Sequence, residues 1–150
     1  MRRTDLLKLK TSDFKNDGIH ITPSKTKKSS GKSTIYEWDN QLKDVVQECL
    51  STRPVDIGPY VFCNRQGESY IKEDGSANGF DSIWGRFMDR VTSETRVKER
   101  FWEKSLRAKA GSDAESLEHA RALLSHTTTK TTQIYRRKVE VVKPGKGVKE

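Results

Sequence analysis

Between Leu123 and Lys138 the chain reads LLSHTTTKTTQIYRRK, which places His126 nine positions before Tyr135 and sets that tyrosine directly against Arg136, Arg137 and Lys138. A phenol hydroxyl beside cations is a candidate nucleophile whose anionic product the cations would hold. Phosphodiesters suit such a group best. Attack on a backbone phosphate needs a nucleophile, cationic donors around the non-bridging oxygens and an acid for the leaving oxygen, all placed in advance. Arg2, Lys25, Arg107, His126 and Tyr135 have the side chains for those roles.

Each of these residues also has a plainer reading. Arg2 stands beside Arg3 near the chain start and reads equally as a solvated charge. Lys25 shares its stretch with Lys27, Lys28 and Lys32, a general phosphate-binding loop in which Lys27 can stand in for Lys25. Arg107 lies one helical turn after Glu103, a pairing worth only ~0.5 kcal/mol. His126 also suits a helix C-terminus, where a cation meets the negative end of the dipole. His20 and His119 fall in strand-like and helical stretches, and neither is assigned a role.

The whole chain favours a polyanionic partner. It has 150 residues, 32% of them hydrophobic and 33% charged, with a formal net charge of +8. One domain with a modest core is expected. Lysines and arginines that neutralise phosphates release condensed counterions, so nucleic acid is the leading partner and an anionic membrane surface the second. No apolar run approaches the roughly 20 residues that span a bilayer, so a soluble, cytosolic protein is expected. Cys49 and Cys63 lack metal-site spacing, and neither a disulfide nor a metal or other cofactor is expected.

Periodicity then supplies the elements that must position these side chains. Leu6, Leu7 and Leu9 mark a buried helical face at the start. The turn Asn16-Asp17-Gly18 precedes two alternating stretches, read as antiparallel strands over about 19–22 and 33–38 with a lysine-rich hairpin between them. Asp39 or Asn40 caps a helix whose apolar positions Leu42, Val45, Val46, Cys49 and Leu50 predict a core helix ending at Arg53-Pro54. Residues 54–79 read as an irregular connection. Phe80, Ile83, Trp84, Phe87 and Val91 predict a helix to about residue 94, with Phe80, Trp84, Phe87, Phe101 and Trp102 in the core. Two short helices follow, over about 103–111 and 114–124. A basic tail, 136–150, closes the chain and contains a VEVV patch.

In this order the boxes resemble the tyrosine recombinases, in particular the phage-type integrases. Arg2-Arg3-Thr4-Asp5-Leu6 matches the family's Arg-x-x-[Glu/Asp]-Leu helix with Arg2 in the catalytic place, and Ser24-Lys25-Thr26 supplies its hairpin lysine. Lys104-Ser105-Leu106-Arg107 matches the second arginine box, with lysine where histidine is commonest. Leu124-Ser125-His126 followed by Tyr135 keeps the spacing of the last box and replaces its glycine by serine. A non-glycine residue there predicts an unusual backbone angle with modest strain.

The resemblance implies a mixed α+β fold, mainly α-helical with a small antiparallel sheet and a cationic concave face over double-stranded DNA. It implies metal-free transesterification. Tyr135 would attack a scissile phosphate to give a 3′-phosphotyrosine and a free 5′-hydroxyl. Arg2 and Arg107 would clamp the non-bridging oxygens, Lys104 and His126 would add donors, and Lys25 would protonate the leaving oxygen. Asp5 would buttress an arginine, while Lys27, Lys28, Lys32, Arg136 and Arg137 would hold the DNA. Relative to the family the chain lacks the front of the first helix and an upstream DNA-clamping domain. The expected organisation is therefore a truncated catalytic domain over 1–135 and a tail over 136–150 that docks on a neighbouring protomer. Integration or excision by a homo-oligomer on DNA, in the nucleoid of a bacterial host, is the function implied. A DNA-binding remnant without activity and a type IB topoisomerase-like enzyme are the alternatives.

Overall fold

The computed structural model describes residues 1–25, 27 and 31–135. Within them lie six α-helices and one three-stranded antiparallel sheet of order β1-β2-β3. The helices are α1 (Arg3–Leu7), α2 (Asn40–Ser51), α3 (Asn78–Glu94), α4 (Glu103–Asp113), α5 (Leu117–Leu123) and α6 (Thr129–Gln133); the strands are β1 (Phe14–Lys15), β2 (Gly18–Ile21) and β3 (Thr34–Glu37). The architecture is α+β. Among the described residues no helix is long and apolar enough to cross a membrane.

The sheet is built by the Asn16-Asp17-Gly18 turn, which reverses the chain so that Phe14 pairs with Ile19 and Lys15 with Gly18. Glycine is required at position 18, because a Cβ there would collide with the Tyr36 carbonyl oxygen across the next strand pair. β2 is the central strand, with Gly18, Ile19 and Ile21 buried, while β3 at the edge alternates half-buried and exposed residues. Two residues are too few to alternate visibly, which is why β1 was not expected from the sequence. Ile19 and Ile21 join Leu9 and Val61 in a core cluster, against which Phe14, Tyr36, Trp38, Leu42, Val46, Cys49 and Leu50 pack.

Asp39 caps α2 through its carboxylate, which accepts from the Leu42 N–H at 2.6 Å. The stripe Leu42, Val46, Cys49, Leu50 faces the sheet as its spacing predicts. The expectation of a core helix is corrected, however. No residue of α2 is fully buried and Val45 is 50% exposed, because the sheet beneath it is only three short strands wide. The expected aromatic core needs the same correction: Phe87 is half exposed, Trp102 just before α4 is largely exposed, and Met88 is the one fully buried residue of α3. Phe80 and Phe87 of α3 and Phe101 beyond it each pack against Trp84, which none of them fully buries.

The elements nearest the candidate site pack through small contacts. Gly111 of α4 takes Leu124 so closely that a Cβ would lie 2.8 Å from Leu124 Cδ1. Ala114 and Ala120 are buried beside that junction. Ser116 caps α5 by accepting from His119 N–H at 3.0 Å, so α5 begins at Leu117 rather than near residue 114. Arg3 bonds Asp81 at 2.8 Å and Glu103 at 3.1 Å, which ties α1 to both α3 and α4.

Candidate active site

His126 is placed by the way α5 ends. Ser125 N–H donates to Ala122 O and His126 N–H donates to Arg121 O, both at 2.9 Å, which is the paired hydrogen bonding of a Schellman turn. Such a turn needs a left-handed residue after its cap, and Ser125 takes that conformation at φ +52°. The unusual angle expected for a serine here is therefore present, at a cost of about 1 kcal/mol relative to glycine. The serine side chain gives something back: Ser125 Oγ lies 2.8 Å from Thr34 Oγ1 and 3.4 Å from the Tyr36 hydroxyl. Tyr36 in turn donates to Leu123 O at 3.1 Å. Strand β3 and the end of α5 are thereby locked together.

Arg107 reaches this turn from α4. Its Nη2 donates to Leu124 O and lies 3.2 Å from His126 Nε2. On the other side of the imidazole, Nδ1 lies 3.1 Å from Thr132 Oγ1 of α6. Helix α6, five residues of mostly threonine, carries Thr132 fully buried and delivers Tyr135 just beyond its end. The Tyr135 ring centroid is 5.2 Å from that of His126, and the Arg107 guanidinium carbon is 5.9 Å from the Tyr135 ring. Ser112 Oγ donates to Tyr135 O at 3.2 Å, so α4 holds the tyrosine backbone as well as supplying the arginine.

Arg2 and Arg3 divide sharply. Arg3 is taken by Asp81 and Glu103, and so Glu103 does not serve as the partner of Arg107. Arg2 lies 3.8 Å from buried Asp5, whose other carboxylate oxygen accepts from Ser24 N–H at 2.8 Å. That bond couples α1 to the turn bearing Lys25. Burial, and then the charge of Arg2, lower the Arg107 pKa, while Tyr36, Tyr135 and Asp5 oppose the shift. Burial, followed by the charges of Arg107 and Arg2, pushes the His126 pKa down from 6.5 to about 4. His126 is therefore a buried neutral imidazole at pH 7, set beside the Arg107 guanidinium and within the field of Arg2.

The other predicted positions lie further out. Lys25, Lys27, Lys32 and Lys104 are exposed. Among the described residues, neither Lys25 nor Lys104 hydrogen-bonds to Arg107, His126 or Tyr135. Lys27 borders a polar groove with Lys8, Lys10, His20, Thr22 and Ser24. Lys28, Arg136, Arg137 and the whole 136–150 tail lie outside the described residues. Thr132, Thr34, Tyr36 and Ser112 were not singled out from the sequence. Thr132 stands three residues before Tyr135, but nothing in a run of threonines distinguishes the one that turns inward.

The Arg107 guanidinium, an imidazole and a phenol meet here under the added positive charge of Arg2, an arrangement suited to a tetrahedral oxyanion with a nucleophile beside it. Among the described residues no group of three or more His, Cys, Asp or Glu side chains could hold a metal ion. No family model, curated protein or solved structure matches the chain. Side-chain geometry and the order of the motifs therefore carry the functional reading.

Proposed function

We propose that this chain is the catalytic part of a tyrosine recombinase, with the corresponding α+β fold, that cuts and rejoins double-stranded DNA. The reading rests on one observation above all: Arg107, His126 and Tyr135, drawn from α4, the end of α5 and the end of α6, come together, Arg107 and His126 at 3.2 Å and the Tyr135 ring centre 5.2 Å from the imidazole and 5.9 Å from the guanidinium. In this reading Tyr135 Oη attacks the phosphorus, a 3′-phosphotyrosine bond forms and the bond to the 5′-oxygen breaks. The phenol gives up its proton to solvent water and the leaving oxygen gains one from Lys25, whose turn is tied through Ser24 and Asp5 to Arg2. Arg2 and Arg107 hold the non-bridging oxygens, with His126 and Lys104 as further donors, and charge on these oxygens is stabilised where it accumulates. Lys27, Lys28, Lys32, Arg136 and Arg137 supply backbone affinity. The working form is a homo-oligomer on DNA in a bacterial host cytoplasm, carrying out prophage integration or excision.

The test is covalent trapping on nicked suicide substrates drawn from a randomised or genomic pool. Tyr135→Phe is expected to abolish the denaturant-resistant protein–DNA adduct while salt-sensitive binding persists. Equal trapping by the variant would remove Tyr135 from the reaction. A second reading, DNA binding without cleavage, is favoured by the engagement of Arg107 with Leu124 O and His126 Nε2, which leaves fewer of its donors for phosphate. Salt-sensitive binding with no adduct from either protein would select it.

A further inference from the structure

We infer that Arg107 fixes which nitrogen of His126 carries the proton, that the Thr132 hydroxyl accepts that proton's hydrogen bond, and that the same hydroxyl lets the assignment reverse when an oxyanion takes Arg107. Arginine has five N–H donors and no acceptor, so the 3.2 Å approach of Arg107 Nη2 to His126 Nε2 requires a lone pair on Nε2. The single ring proton of the neutral imidazole is then on Nδ1. It points at Thr132 Oγ1, 3.1 Å away, and that hydroxyl donates onward to Thr128 O at 3.3 Å. Every hydrogen in the chain Arg107, His126, Thr132, Thr128 has one acceptor, and all run in the same direction. Thr132 is 0% exposed, so water does not compete for its hydroxyl.

This arrangement makes His126 an acceptor toward the centre of the site, whereas a donor to phosphate must carry its proton on Nε2. A hydroxyl can serve both forms, since it donates or accepts by rotating about its C–O bond. When a phosphate oxygen takes the Arg107 hydrogen, a proton leaves Nδ1 for solvent and one arrives on Nε2 from solvent. The Thr132 hydroxyl then turns from Thr128 O to donate to Nδ1, and the ring charge is unchanged. Thr132 is thus a positioning residue that acts through His126. The reversal rests on the phosphate-site reading above; the ligand-free assignment does not.

Nitrogen-15 NMR of the full chain, labelled in its histidines and recorded near neutral pH, reads the tautomer directly. In the ligand-free protein His126 is expected in the Nδ1–H form, with a slowly exchanging Nδ1 proton. Thr132→Ser is expected to preserve that pattern. Thr132→Val, nearly the same shape without a hydroxyl, is expected to keep the proton on Nδ1, because Arg107 still donates to Nε2, and to lose its slow exchange, because the acceptor is gone. A wild-type protein in the Nε2–H form, or a folded Thr132→Val protein whose Nδ1 proton exchanges as slowly as the wild type's, would overturn the assignment. Added inorganic phosphate is expected to move the proton to Nε2. Phosphate that perturbs the arginine resonances while the proton stays on Nδ1 overturns the reversal. Phosphate that does not bind removes both the phosphate-site reading and the reversal, and leaves the ligand-free spectra to decide the assignment.

Discussion

Arg107 and His126 face each other nitrogen to nitrogen at 3.2 Å, although they are nineteen residues apart and belong to different elements. The contact is stable only if the imidazole is uncharged and turns a lone pair to the guanidinium, because two cations so close in a buried site repel strongly. The Schellman turn supplies the imidazole and α4 supplies the guanidinium, and the Gly111–Leu124 contact brings the two elements together.

Stability should therefore depend on pH through His126. The folded chain keeps this group neutral down to about pH 4, whereas the unfolded chain takes up its proton near 6.5. Between those values the unfolded state binds more protons, so stability rises with pH; it falls as pH drops through the window and levels off below it. Urea denaturation of the wild type and of His126→Gln across pH 3.5–7.5 checks this. The variant should show a shallower slope within the window, and equal slopes would assign the dependence to other groups.

The adjacent arginines should separate in DNA binding. Arg2→Gln is expected to reduce the slope of log affinity against log salt by about 1, as the loss of one phosphate contact does. Arg3→Gln should leave the slope unchanged, because Asp81 and Glu103 already occupy that side chain. Titrations at several salt concentrations measure both, and an effect of Arg3→Gln as large as that of Arg2→Gln would contradict this division.

Position 125 separates backbone strain from side-chain bonding. Ser125→Ala keeps the left-handed backbone and loses the bonds to Thr34 and Tyr36, whereas Ser125→Gly loses the same bonds and relieves the strain. The glycine variant should be the more stable of the two by about 1 kcal/mol. Chemical denaturation of the pair gives the difference, and equal stabilities would mean that φ at this position carries no penalty.

Asp5 should matter through the turn it holds. Asp5→Ala removes the acceptor for Ser24 N–H and the carboxylate beside Arg2, with an expected loss of about 2 kcal/mol. Asp5→Asn keeps an acceptor oxygen and should lose less. Thermal or urea unfolding orders the two, and in the trapping assay both should slow adduct formation more than they weaken DNA binding.

Local pattern carried much of the fold. The Asp39 cap and the stripe Leu42, Val46, Cys49, Leu50 marked α2 to within a residue or two, and alternation located β2 and β3, because each signal depends on neighbours a few positions apart. Residue type and order also brought Arg107, His126 and Tyr135 forward as candidates. Other features were invisible at that range. Strand β1 is two residues long, and α6 is threonine-rich against its helical propensity, so packing rather than composition decides both. The exposure of Phe87 and Trp102 followed from how little of α3 and the chain before α4 the rest of the fold could cover. Which of Arg2 and Arg3 is held by α3 and α4, which nitrogen of His126 accepts, and which threonine turns inward were decided by tertiary structure alone. Each depends on a partner 19 or more residues away, or on a six-residue return through a turn, and helical or strand periodicity records neither.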